Sequence, residues 1–226
     1  MRNKTVLLTG AGGNLGRVTV THFLNNGWRV IATVTPGKSL PGLEHKDLHV
    51  YAIDLTNEEA VAGWIESLIR NFGQIHAGLL LAGGYRSGTL ADTTGNDIRK
   101  MFTLNFLTAY HVARPLFLHM KECAWGRLIF IGAKPALEMQ SAGNAVAYAL
   151  SKVHLLKLAE YFHAAGRTYQ ASAYCLVPEI IDTPENRMAM PHADHSLWIK
   201  PEKMAEVMLR LCDDAFSVTE PVIKLY

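Results

Sequence analysis

The stretch Thr9-Gly10-Ala11-Gly12-Gly13-Asn14-Leu15-Gly16 follows a short apolar run at residues 5–9 and leads straight into a helix-like segment at 15–26. Glycines at 10, 13 and 16 permit a tight turn, close approach of the backbone to a ligand, and close packing of helix on strand. The first turn of such a helix offers unpaired N–H groups and a partial positive charge, which suits a pyrophosphate. An ordinary glycine turn is the plainer alternative. The strand–loop–helix context separates the two. It predicts a dinucleotide site built from Gly10, Gly13, Asn14, Leu15 and Gly16.

Outward from this loop, branched apolar runs alternate with helical stretches. Strands are predicted over 5–9, 29–34, 48–53, 77–82, 127–131, 170–177 and 218–225. Helices are predicted over 15–26, 57–71, 96–123, 148–165 and 201–212, with Pro115 as a possible kink in the longest. Near-continuous apolar strands joined through helices imply a parallel sheet covered on both faces. Right-handed crossovers then give an α/β doubly wound sheet of the Rossmann type with about seven strands, in one domain over 1–226.

Composition narrows the class. Of 226 residues, 49% are apolar and 19% charged, enough to build a core and too apolar for global disorder. The 22 Lys and Arg nearly balance 20 Asp and Glu, with no basic block, so neither nucleic acid nor an anionic membrane is an expected partner. Cys123, Cys175 and Cys212 are widely spaced and form no metal-type pair, which fits a reducing, cytoplasmic setting. No apolar segment approaches the ~20 residues of a membrane span. His192-Ala193-Asp194-His195 is the one histidine cluster, and it lacks the further ligands a metal site needs, so no metal is expected.

Ligands of a doubly wound sheet collect at the carboxyl ends of its strands. After the second strand no carboxylate follows to grip a ribose 2′-hydroxyl; Thr33, Thr35, Lys38 and Ser39 are placed instead to surround a 2′-phosphate, which favours NADP over NAD, although a solvated loop has the same composition. Asp54, with Leu55 beside it, follows the third strand and suits an adenine contact; a turn aspartate is the alternative. Small residues Ala82 and Gly83 close the fourth strand, where adenosine can pass near the backbone. Tyr148 and Lys152 are four apart on one helical face. An ammonium beside a phenol favours phenolate and lowers a pKa near 10, so Tyr148 is expected to act as general acid, with Lys152 also reaching the nicotinamide ribose. A core tyrosine with a snorkelling lysine is the competing reading.

Together these residues resemble the short-chain dehydrogenase/reductase family, in the family's order and over nearly the whole chain. The resemblance implies that Asn105 anchors a proton-relay water, that Tyr148 is the acid/base with Lys152 lowering its pKa and holding ribose, that Thr183 faces the nicotinamide carboxamide, and that Pro178 contacts the cofactor. The family's usual serine after the fifth strand is absent: Ile131-Gly132-Ala133-Lys134-Pro135-Ala136-Leu137 has Ala133 there, and Ser141 is elsewhere. That segment, with Asp182-Thr183-Pro184-Glu185 and Ala82-Gly83-Gly84-Tyr85, looks like the dihydropteridine reductases, which work without the serine. The likeness implies Tyr85, Ala133 and Tyr148 as substrate contacts. Val34 stands where that group has an aspartate that favours NADH, and the stretch between Ala133 and Tyr148 is about two residues longer.

A quinonoid pterin spreads incoming charge over a conjugated ring and needs a second hydroxyl donor less than a simple ketone does. The sequence therefore points to an NAD(P)H-dependent reductase of a small conjugated acceptor, a quinonoid dihydropteridine foremost. A general carbonyl reductase using Ser141 is one alternative, and a non-catalytic NAD(P)-sensing protein is another. The helix at 148–165 is apolar nearly all round, and the family resemblance implies a homodimer or homotetramer through it and the helix around Asn105.

Overall fold

The computed structural model describes residues 4–216 and 218–226, apart from the side chain of Ser141. Seven strands form one parallel sheet in the order β3-β2-β1-β4-β5-β6-β7: β1 Thr5–Thr9, β2 Arg29–Val34, β3 Leu48–Ala52, β4 Ala77–Leu80, β5 Gly126–Ile131, β6 Ala171–Pro178 and β7 Val222–Leu225. The order reverses between β1 and β4, which opens a crevice at their carboxyl ends.

Side chains alternate across the strands, so each strand feeds two cores. In β1, Val6 and Leu8 join the layer under α1 (Asn14–Asn25) and α7 (Pro201–Leu211), whereas Leu7 joins the layer under α2 (Glu58–Phe72), α4 (Thr108–Glu122) and α5 (Val146–Gly166). Helix starts follow local chemistry. Asn57 caps α2 by accepting from the Ala60 N–H at 3.0 Å, ahead of Glu58 and Glu59 in the first turn. Thr94 and Asp97 form a reciprocal capping box at α3 (Gly95–Phe102). Pro184 and Pro201 open α6 (Pro184–Ala189) and α7, where a missing N–H costs nothing.

Two sequence expectations need correction. The long helix at 96–123 is interrupted, but by a π turn at Thr103–Leu107 and not at Pro115, which lies inside α4. There the Thr108 N–H reaches back to the Thr103 carbonyl, five residues away, and Asn105 faces the interior, fully buried. The last strand is shorter than predicted, starting at Val222, because Thr219 to Pro221 form the bend that brings the chain to β6. Among the described residues no helix is long and apolar enough to cross a membrane.

Candidate active site

The glycine loop occupies the crevice between β1 and β4. Gly10 has φ +72°, and a Cβ there would lie 2.9 Å from the backbone of Ala82; a Cβ on Gly16 would collide with the Gly10 carbonyl. These two glycines are demanded by packing. Gly12 and Gly13 are not: a Cβ on either would meet no protein atom nearer than 3.5 Å and would fill the open side of the loop. The loop is tied down by the Ala11 N–H to the Thr33 carbonyl, 2.9 Å. Asn14 and Leu15 begin α1, and the Asn14 amide donates to the Glu185 carboxylate of α6. An anionic oxygen thus already lies at this helix N-terminus. Open glycines ahead of a helix N-terminus fit a dinucleotide pyrophosphate.

At the end of β2, Thr33 is buried, whereas Thr35, Lys38 and Ser39 are exposed. Of the four residues expected near a 2′-phosphate, Thr33 is therefore withdrawn. Asp54 is exposed and accepts from the Thr56 N–H (2.9 Å) and hydroxyl (2.7 Å), bonds that hold its carboxyl below the usual range. Leu55 puts its side chain into the core, and its carbonyl bonds the His111 ring at 2.9 Å. The Ala82 N–H is fixed by the Thr9 hydroxyl, 3.1 Å. Gly83 follows with no room for a side chain: a Cβ would sit 2.6 Å from Asn105 Oδ1.

Asn105 pairs reciprocally with Gly84, accepting from its N–H at 2.8 Å and donating to its carbonyl at 3.1 Å. The same amide nitrogen donates to Ser151 Oγ at 2.8 Å. Both amide hydrogens and one lone pair of Oδ1 are thus engaged by the protein.

Tyr148 and Lys152 rise from the first turns of α5. Lys152 is buried and its Nζ donates to the Ile131 carbonyl at 2.7 Å, 5.7 Å from the centroid of the Tyr148 ring. Burial lowers the Lys152 pKa to about 8. Burial, with Tyr85 adding to it, pushes the Tyr148 phenol up to about 12, opposite to the expected depression by Lys152. The reason is geometric: the ammonium bonds a carbonyl, and desolvation is left to dominate.

Tyr148, Tyr85 and Ala133 line one cleft of about 710 Å³, together with Ile181, Glu185 and Met190 of the opposite wall. Among the described residues the Tyr148 hydroxyl has no hydrogen-bond partner. The Tyr85 ring meets the Tyr148 ring edge-on, centroids 5.1 Å apart. Its loop is clamped to the start of α5, where the Gly88 N–H bonds the Asn144 carbonyl (2.6 Å) and the Val146 N–H bonds the Gly88 carbonyl (3.1 Å). Ala133 is only 5% exposed and extended, at the mouth of β5. Ser141 belongs to the 3₁₀ turn Met139–Ala142, and its side chain lies outside the described residues.

Pro178 ends β6 at the floor of this cleft. The Thr183 hydroxyl accepts from the Asn186 N–H at 3.2 Å, capping α6. Arg187 grips Asp182 through Nε and Nη2 at 2.5 and 2.8 Å. In the loop beyond α6, Asp194 is bonded by Ser196, and His195 by the Met190 carbonyl at 3.0 Å. No group of three or more His, Cys, Asp or Glu among the described residues is arranged to hold a metal ion.

Sequence reasoning missed Ser151, Glu185 and the Lys134–Glu179 ion pair of 2.7 Å at the cleft rim. Ser151 was legible in principle, three residues after Tyr148 and next to Lys152. The other two join segments distant in sequence, and no spacing rule reaches them.

A family model described as short chain dehydrogenase matches residues 4–193. The chain is 26% identical over 238 residues to the peroxisomal hydratase-dehydrogenase-epimerase of Saccharomyces cerevisiae, covering 99% of this chain and 26% of that one. It therefore spans about a quarter of that relative's length. It is 24% identical over 212 residues to the dihydropteridine reductase of Dictyostelium discoideum, covering 90% of this chain and 85% of that one. Among solved structures, ElxO with NADP bound superposes with a TM-score of 0.89 at 21% identity, covering 98% of this chain and 96% of the other.

Proposed function

The chain belongs to the short-chain dehydrogenase family of NAD(P)-dependent oxidoreductases, and from that premise we propose that it reduces a small conjugated acceptor, a quinonoid dihydropteridine foremost, with NADPH preferred over NADH. When bound, the dinucleotide supplies the hydride. Gly10, Gly13, Asn14, Leu15 and Gly16 hold its pyrophosphate, Asp54 and the backbone of Leu55 its adenine, and Ala82 and Gly83 the adenosine side. Pro178 and Thr183 face the nicotinamide. Exposed Thr35, Lys38 and Ser39, with no carboxylate on β2, support the preference for a 2′-phosphate.

Tyr148 gives its proton to the reduced acceptor. Burial, with Tyr85 adding to it, holds its pKa at about 12, and an ammonium brought beside the phenol lowers it toward the range of an efficient proton donor. Lys152 moves from the Ile131 carbonyl to the ribose and the phenol, and Asn105 holds the loop beside them. Tyr85 flanks the acceptor ring.

The observation that carries the choice of acceptor is Ala133, a methyl group lining the same cleft as Tyr148 where a second hydroxyl donor would serve a ketone. Removing one such donor from a developing oxyanion costs about 3 kcal/mol, which a charge-spreading ring does not incur. Charge supports the reading too. Among the described residues the cleft lining includes Glu185 and no Lys, Arg or His, and its second carboxylate, Glu179, is paired with Lys134 at the rim, so one uncompensated negative charge disfavours anionic acceptors. A relative named dihydropteridine reductase adds to it. We read the chain as one reductase domain working in the cytoplasm as a homo-oligomer, with exposed Leu104, Leu118, Leu150 and Tyr161 on the outer helices as the contact surface. The test is oxidation of NADPH and NADH with quinonoid dihydropteridine, a quinone and a simple ketone side by side. Pterin turnover exceeding ketone turnover supports the reading, and faster turnover of the ketone refutes it.

A further inference from the structure

We propose that Ser151 is a positioning residue that sets the acceptor-binding geometry through Asn105, Gly84 and Tyr85; the kinetic part of this proposal rests on Tyr85 flanking the acceptor. Ser151 is 2% exposed and lies on α5 between Tyr148 and Lys152. Its Oγ accepts from the Asn105 amide at 2.8 Å and donates to the Tyr148 carbonyl at 2.7 Å, so its proton has one direction available.

Asn105 is fully buried in the π turn. Its oxygen and nitrogen are assigned by Gly84, which supplies both an N–H and a carbonyl to it. One amide hydrogen is satisfied by the Gly84 carbonyl and the other by Ser151. Removal of the serine hydroxyl strands an N–H donor on a fully buried side chain, which is costly. To regain a partner Asn105 must rotate, and rotation breaks its pair with Gly84.

Gly84 is the residue immediately before Tyr85. The far end of the same loop is held independently, at Gly88, by Asn144 and Val146. Tyr85 is therefore suspended between two anchors, one of which depends on Ser151. Loss of that anchor frees the ring that packs on Tyr148, while the glycine loop and the Lys152–Ile131 bond are untouched. Ser151 thus controls how firmly the acceptor is held more than how the dinucleotide is bound.

Amide exchange in the ligand-free protein tests the physical link. In Ser151→Ala the Gly84 N–H should exchange at least tenfold faster with amides in the body of α5 unchanged; an unaltered Gly84 rate, or acceleration spread evenly over α5, overturns the proposal. Kinetics test the functional link with menadione and quinonoid dihydropteridine as acceptors. The KM should rise at least fivefold with kcat within twofold and the dissociation constant for NADPH unchanged, and this rise should vanish in a Tyr85→Ala background. Additive effects in the double variant overturn it. The exchange measurement needs no turnover, so a protein that reduces neither acceptor disproves the proposed function and leaves the Gly84 rate to decide this one.

Discussion

Lys152 donates to the carbonyl of Ile131 at 2.7 Å, and its nitrogen stands 5.7 Å from the centre of the Tyr148 ring. In the ligand-free protein the pair is therefore two desolvated groups side by side, one pushed toward the neutral amine and the other toward the neutral phenol. Both shifts have consequences that can be measured.

The Lys152 pKa falls from 10.5 to about 8 on folding. Below pH 8 both folded and unfolded chains carry the proton, and the burial penalty is fully present. Between about 8 and 10.5 the unfolded chain keeps a proton that the folded chain has released, so the contribution of this group to stability climbs with pH, against the opposite contributions of the Cys175 and Cys212 thiols, which burial raises from 9.0 to about 12. Urea unfolding should show the native protein gaining roughly 2–3 kcal/mol on Lys152→Met between pH 8 and 10. A difference that stays flat refutes the assignment. Tyr148, Cys175 and Cys212, all raised to about 12 by burial, are present in both proteins, so their opposite contributions cancel in this comparison.

Tyr148→Phe removes the hydroxyl proposed to protonate the acceptor. Turnover should fall by about 10²–10⁴-fold. Calorimetric affinity for NADPH should stay within about twofold, since the pyrophosphate site lies on another loop. Undiminished turnover would remove Tyr148 from the chemistry.

Ala133→Ser supplies a hydroxyl donor at the mouth of β5. Ala133 is extended, with φ −160°, a conformation serine adopts freely. The ratio of ketone to pterin turnover should rise at least tenfold, well within the ~2.7–4 kcal/mol such a donor is worth. An unchanged ratio would show that acceptor choice is set elsewhere in the cleft.

Glu185 places a carboxylate on Asn14, beside the proposed pyrophosphate position. Like charges a few ångströms apart in solvent repel by about 1 kcal/mol, so Glu185→Gln should tighten NADPH binding by roughly fivefold. Weaker binding by calorimetry would mean that the carboxylate helps hold the dinucleotide.

The sheet was legible because its five inner strands are buried on both sides and read as apolar runs: β1 and β2 match the predicted bounds to the residue. The glycine loop was legible for a steric reason, since Gly10 and Gly16 sit where no side chain fits. The break in the long helix was not. Pro115 is the conspicuous residue in the sequence, but the interruption arises where Asn105 must turn inward to meet Gly84, a tertiary demand without local signature. The Tyr148 pKa failed for a related reason. Spacing placed the lysine on the right face, yet only coordinates reveal that its nitrogen is bonded to a carbonyl of β5. Leu55 likewise reads as a crevice residue, whereas its side chain belongs to the core.

The π turn at Thr103–Leu107 accommodates one residue beyond the regular ladder, which sets the helices on either side out of phase by about 100°, one residue's share of a 3.6-residue turn. Excising a single residue there would bring them back into phase. It would also roll either Asn105 away from its glycine or Val112, Leu116 and Met120 off the sheet. Single-residue deletions should for that reason be tolerated in the exposed stretch after β2 and lethal to folding or activity across these five positions.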